Sequence, residues 1–511
     1  MDKEAGSCEL DLNTIEEFHR AACLSGVEAV QHFLDKGVDV NVQSEYHGSA
    51  LQSAASHYFR DNIETIQLLL DKGADVNAQG GYHGNALAVA ASNGHIHVVR
   101  LLLDRGADVN AQGGCFGNAL AAAATYGTFQ VLQLLVEKGA DVNAQGGEYG
   151  SALQNAASRG YVKAIQFLVE KGADVNSKSG DYGNALQLAA RSGKVTAVRL
   201  LLKHGADVNA QGTGLHGTAL QNAAWQGHCG VMRLLLDKGA DVNAQGGEYG
   251  NALQTAADRY ENNIEAIQLL LDRGADVNAQ GGEYGNALQA AAYNGRVVTV
   301  RLLLNEGADV NAQGGYHGSA LQAAAYRGRV EVVRLLLNKG ADVNAQGGYH
   351  GNALQAAAYR GSVEVMQLLL NTRVDVNAQG GFYGNALQAA AHEGHVEAVR
   401  LLLDTGVDAN AQGGEYGTAM QAALAPASKP DIKRTNALAI AEILLEHGAD
   451  ATADVPGSKY GDALGAAKEL WELGPNLVKL FRSGACKKRE PDPGATEDEP
   501  RRKSRRLHAS G

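Results

Sequence analysis

The sequence predicts an all-α fold, a solenoid of about 14 helix-turn-helix units with extended finger loops, wound into a curved superhelical rod. Three observations predict it. A glycine placed before an Ala-Leu or Ala-Met pair recurs from Gly48 to Gly461, and most of the intervals are 33 residues. Between those glycines the apolar residues are spaced three and four apart, the period of a helix face, and not alternately as in a strand. At 511 residues the chain is also too long for one compact core, so it must divide or grow by repetition.

In chain order, residues 1–12 are a leader, and residues 13–47 are a degenerate first unit. An end unit needs a polar outer face, and Glu16, Glu17, His19 and Arg20 are expected to supply it. Residues 48–424 are the regular array, whose longer intervals (36 after Gly48, 34 after Gly183, 35 after Gly250, 44 after Gly417) each trace to a loop insertion. Ser319 to Gly351 serves as the example. Ser319 has the side chain of a helix N-cap, and a short helix is expected from Ala320 to about Arg327, with Leu321, Ala324 and Ala325 on its packed face. Gly328 ends it. A second helix is expected from Val330 to about Lys339, burying Val333, Leu336 and Leu337 and leaving Arg334 and Asn338 outside. Gly340 closes that helix in the left-handed conformation, and Asn344 to Gly351 reverses the chain as a finger. Arg373 stands where most units have the closing glycine, which predicts a soft joint. In residues 425–484, Pro426 and Pro430 predict a projecting loop from Ala425 to Thr435, followed by capping units that Lys468, Glu469, Glu472, Trp471, Leu477, Leu480 and Phe481 would complete. Residues 485–511 form a tail of disordered composition.

The segments GADVNAQ, A-A-x-x-G and V-x-x-L-L-L-x-x-G together resemble the ankyrin repeat, over roughly residues 13–484 by the same repeat count. The Thr-Pro-Leu-His signature of that repeat is here Asn/Ser/Thr-Ala-Leu-Gln, as in Asn352, Ala353, Leu354 and Gln355, and no proline occurs before residue 426. Ala is compatible with the first helical position, and Gln can replace His as a donor and acceptor bridging neighbouring units. The variant is similar to the long arrays of filamentous fungi, in which such tracts also follow nucleotide-binding signalling domains; no such domain is recognisable in this chain. The resemblance implies a protein-binding scaffold or adaptor that takes a folded partner on its concave face and fingers. The alternative is a regulatory or substrate-recruiting subunit of a signalling or ubiquitin-ligase complex.

Composition narrows the classes. With 64 Gly but seven Pro and 5% aromatic residues, the chain is neither collagen-like nor Pro-rich and disordered. Its net charge is -12, and because residues 486–511 hold eight Lys/Arg against five Asp/Glu, the rest carries -15, which disfavours a nucleic acid partner. Five scattered cysteines without a C-x-x-C pair indicate a reducing compartment and no zinc module. The N-terminus has no secretory pattern and no apolar run approaches a membrane span, so the chain is expected to be intracellular, cytoplasmic or nuclear, monomeric and unattached to membrane.

No enzyme is expected, and no catalytic residue, cofactor or metal is assigned. Gly212, Gly214 and Gly217 spell G-x-G-x-x-G through an insertion in a finger, without the βαβ context of a dinucleotide site. His392 and His395 flank Gly394, which breaks the helix that H-E-x-x-H chemistry requires.

Recognition is sought where near-identical units differ. The two residues closing the first helix include Trp225, Asp258-Arg259, Tyr293, Tyr326-Arg327, Tyr359-Arg360 and His392, at positions that line the concave face in the resembled family. Aromatic residues and Arg are enriched in interface hot spots. These residues, with finger residues Tyr316 and Tyr349, are the expected partner-binding set. The other reading is that adjacent units are duplications whose tyrosines pack on each other. Tyr149, Tyr249, Tyr284 and Tyr416 recur too regularly for selectivity and are read as packing. Lys487, Lys488, Arg489 and Arg501, Arg502, Lys503, Arg505, Arg506 form two basic clusters resembling a bipartite nuclear import signal, with Ser504 a phosphorylation candidate inside the second.

Overall fold

The computed structural model describes residues 12–24, 26–56, 62–148, 150–178, 183–212, 217–258, 263–425, 430–451, 453, 455–456 and 458–459. Among these, the backbone forms paired helices in two compact units, residues 1–375 and 376–511. The first unit contains eleven pairs, from Leu12–Cys23 with Val27–Asp35 to Ala353–Arg360 with Val363–Leu370. The second contains Ala386–Glu393 with Val396–Asp404 and Ala419–Leu424 with Pro430–Glu446. Within each unit, first helices pack on the next first helix and second helices on the next second helix. None of the described helices is long and apolar enough to cross a membrane.

In the example unit the first helix is Ala320–Tyr326, and every residue from Ala320 to Ala325 is buried. Short alanine side chains let neighbouring helices approach until both faces of the helix are covered. The second helix is Val330–Asn338, and it buries Val332, Val333 and Leu336. Leu337, expected in the core, is half-exposed, because the buried stripe is centred one residue earlier and places it on the rim. Each buried Val or Leu of such a stripe contributes roughly 1.5–3 kcal/mol.

The N-caps form as expected, and the glutamine of the A-L-Q signature does more than cap. Ser319 Oγ accepts from the Gln322 N–H, the Gln322 side-chain oxygen accepts from the Ser319 N–H, and both groups are buried. Gln322 Nε2 then donates into the following finger, to the carbonyls of Ala345 (3.1 Å), Gly347 (3.3 Å) and Gly351. Gln221 and Gln254 reach Gly250 and Gly285 in the same way, at 2.5 and 2.9 Å.

A second bridge runs along the exposed side. Asn311 Nδ2 donates to the Gly340 carbonyl (3.3 Å), while its Oδ1 accepts from the Asp342 N–H (2.7 Å). Asp309 Oδ1 accepts the Asn311 N–H at 2.9 Å and so orients the asparagine backbone. The pattern repeats through the first unit and explains why D-V-N recurs although its polar side chains are exposed.

Two glycine classes differ in their reason. A Cβ on finger residue Gly84 would lie 2.5 Å from the carbonyl carbon of Gly113, so stacked fingers leave no room for one. At Gly340 a Cβ would meet nothing within 4 Å, and only the positive φ of 85° favours glycine. Arg373 is therefore sterically admissible. The helix before it, Val363–Leu370, stops one residue short of its counterpart, and the Arg373 carbonyl still accepts from Asn344 Nδ2 at 3.0 Å. Arg373→Gly should stabilise this turn by about 1 kcal/mol, read as slower amide exchange at residues 371–375. Wild-type protection there equal to that around Gly340 would refute the soft joint.

Two expectations change. His19 is buried, with its ring nitrogens 3.1 Å from the Val42 carbonyl and from Ser53 Oγ, so it bridges the first two units instead of facing solvent. Burial pushes its pKa down. The expected loop at Ala425 to Thr435 is helical from Pro430 onward. Proline suits the first helical position, whose N–H would have no intrahelical acceptor. Residues 426–429, the capping residues from Lys468 to Phe481 and the tail lie outside the described residues.

Candidate functional site

Near-identical helices deliver the residue after the A-A-A run to the same place in each unit, beside the next finger. In the first compact unit this builds an aromatic ladder. Tyr293 and Tyr326 stack with centroids 6.2 Å apart and planes at 14°, and Tyr326 stacks on Tyr359 at 5.9 Å and 16°. Finger residue His317 lies 4.9 Å from Tyr293 and 4.7 Å from Tyr326; His350 lies 4.7 Å from Tyr326 and 4.6 Å from Tyr359. The imidazoles, only 7% and 5% exposed, form the floor.

The fingers position the outer edge. The Tyr316 N–H donates to the Glu283 carbonyl (3.1 Å) and the Tyr349 N–H to the Tyr316 carbonyl (2.9 Å), so successive finger tips are held in register. Their rings stack at 5.3 Å and 14°, with Tyr316 48% exposed. Arg327 lies over the Tyr293 ring at 4.8 Å and Arg360 over the Tyr326 ring at 5.3 Å, each reaching back one unit. Both arginines are exposed.

Burial, with a smaller contribution from Arg327, holds the His317 pKa down at about 4. For His350 burial leads again, followed by His317 and Arg360, and the pKa is also about 4. Both rings are therefore neutral at neutral pH. Burial raises the Tyr293 hydroxyl above its ordinary range, partly offset by Arg327.

Other members of the expected set sit differently. Trp225 is half-buried and stacks on Tyr249 of the next finger at 4.8 Å. Asp258 is 9% exposed, accepts from Asn294 Nδ2 at 2.8 Å and is hydrogen-bonded to Tyr284, whose hydroxyl is raised far above the usual phenol range, first by burial and then by the Asp258 charge. The carboxylate is thus engaged by its own chain. Arg259 and Tyr149 lie outside the described residues, as do the basic clusters of the tail. In the second compact unit His392 is 9% exposed, stacks on Tyr416 (4.4 Å, planes at 16°) and meets Tyr383 at a tilt (5.2 Å, 36°), with Glu393 Oε1 3.6 Å from its Nε2. Gly394, at φ 78°, ends the helix between His392 and His395.

Sequence reasoning missed His317 and His350. Their signal was local to these units: the fingers Tyr316-His317-Gly318 and Tyr349-His350-Gly351 flank Tyr326, while the fingers Phe382-Tyr383-Gly384 and Glu415-Tyr416-Gly417 flank His392. The imidazole–phenol contact is kept with its partners exchanged.

A family model described as ankyrin repeats (3 copies) matches residues 18–113, 112–179, 153–246, 253–347 and 354–455. No curated protein matches the chain. Among solved structures, the ankyrin repeat domain of human ASB11 is similar, at 29% sequence identity over 43% of this chain and 97% of that domain, with a TM-score of 0.38.

Proposed function

Because this chain belongs to the ankyrin repeat family, a family of protein-interaction domains, we propose that it is a scaffold or adaptor without catalytic activity of its own, binding a folded protein partner through its first-helix ends and finger loops. One observation carries the reading. Where the array otherwise repeats itself, Tyr293, Tyr326 and Tyr359 present an ordered aromatic surface topped by two exposed arginines, the residue types that dominate interface energetics. Stacking fixes the rings and cations before a partner arrives, which lowers the entropy cost of binding. Under the same proposal, the two basic clusters of the tail direct nuclear import.

Tyr293, Tyr326 and Tyr359 pack on one another and on the buried imidazoles, so removing them would disturb fold and recognition together. Affinity capture should instead compare wild type with Arg327→Glu, Arg360→Glu and Tyr316→Ser combined, and with Arg301→Glu, Arg334→Glu on the exposed side of the second helices. With equal thermal stability, the first variant should lose about tenfold or more of a specific partner and the second should retain it. Capture of the same proteins by all three would remove this surface from recognition.

A further inference from the structure

We propose that Arg327 and Arg360 on their tyrosine shelves recognise an extended polypeptide segment carrying carboxylate side chains at alternate positions. This rests on the protein-binding reading of the same surface and specifies its ligand. Each guanidinium lies over the ring of the preceding unit, at 4.8 and 5.3 Å, and those two rings are 6.2 Å apart and nearly parallel. The cations therefore repeat at about the ring spacing. In an extended strand, side chains two residues apart share one face and are separated by about 6.6 Å. A Glu-x-Glu or Asp-x-Asp segment matches that repeat, whereas carboxylates three residues apart fall on opposite faces.

The charges are also available. Arg105, Lys138, Arg233 and Arg273 each contact a carboxylate of a neighbouring unit, at 3.0, 3.3, 2.7 and 3.0 Å. Arg327 and Arg360 have no ion pair among the described residues. A planar guanidinium held against a ring keeps its fork free for two parallel hydrogen bonds to a carboxylate. Beside the cations, exposed Tyr316 and its stacked neighbour Tyr349 offer an apolar border for the remainder of the segment. Glu248 and Glu283 mark the other end; burial and the neighbouring Glu248 and Asp258 charges raise the Glu283 carboxyl pKa. An acidic segment is repelled there and is held in register over the arginines.

The test uses the full chain and three short fluorescent peptides of matched length: one with Glu at alternate positions, one with the same Glu residues at every third position, and one with Gln replacing Glu. Anisotropy titrations at low salt should show the alternate peptide binding at least about tenfold more tightly than either other, with affinity falling as salt rises. Arg327→Gln with Arg360→Gln should abolish that preference, and Arg334→Gln should not. Equal binding of the two Glu arrangements, or a preference that survives loss of both arginines, would overturn the proposal. If no peptide binds while partner capture still depends on Arg327 and Arg360, the alternate-carboxylate ligand is wrong and the surface stands; if capture is indifferent as well, both readings fall.

Discussion

Gln322→Ala should lower the stability of the units around it by about 3 kcal/mol, measured by urea unfolding and by amide exchange in the finger that ends at Gly351. The side chain is buried, and its oxygen satisfies the Ser319 N–H while its nitrogen serves the Ala345, Gly347 and Gly351 carbonyls. Alanine removes both ends of this bridge and leaves the buried Ser319 N–H without a partner, a cost of about 1–3 kcal/mol, and three finger carbonyls lose a donor, although Gly351 keeps the Gly347 N–H at 3.0 Å. The chain supplies its own comparison in the units where Ala88 and Ala121 occupy this position. There, with its amide turned to its hydrogen-bonding orientation, Gln112 donates to the Gly117 carbonyl at 3.2 Å, so the finger partly serves itself. Gln346 is the matching residue after Gln322, which keeps the expected loss below the full sum. Gln322→His, restoring the residue usual in the family signature, should recover part of it. A loss under about 1 kcal/mol for the alanine variant would mean that finger stacking does not depend on this bridge.

The frame was legible because it is periodic. Ser319, Gln322, Gly328 and Gly340 act locally, through caps and left-handed turns that belong to a residue type at a spacing, so the helices of this unit end within about a residue of expectation. The ladder was only half legible. Tyr326 and Arg327 were visible as departures from the repeat, yet their stacking depends on His317 from the preceding finger and Tyr293 from the unit before. Asp258 looked equally variable, but Asn294 of the following unit and Tyr284 of its own finger enclose it. Sequence variability marks where units differ; only packing separates a side chain turned to solvent from one that has acquired a neighbour. At Pro430 the residue was right and its reading incomplete, since proline ends a helix from within and starts one from its first turn.

Acid should loosen the ladder selectively. With their folded pKa values at about 4 and an unfolded value near 6.5, His317 and His350 stay neutral in the fold while the unfolded chain takes up protons. Their full contribution is present above pH about 6.5, falls as the pH drops through that value, and is exhausted below about 4, for a loss of about 3 kcal/mol per histidine. Among the described residues, the titratable groups packed around them are Tyr293, Tyr316, Tyr326, Tyr349, Tyr359, Arg327 and Arg360. Protonating either imidazole would add a cation beneath the two guanidinium groups that already stand over the ladder. His317→Phe with His350→Phe keeps rings in both places and removes the titration. Amide exchange over Ala320–Tyr326 and Ala353–Arg360, compared at pH 7.5 and 4.5, should show wild type losing several kcal/mol of protection more than this variant, after correction for the intrinsic pH dependence of exchange. Distant helices such as Ala152–Arg159 should serve as the internal reference, since a repeat array opens in parts. Equal acid sensitivity in the two proteins would show that the imidazoles are wet enough to charge in place, and the ladder would then have to be held by its rings and arginines without a neutral floor.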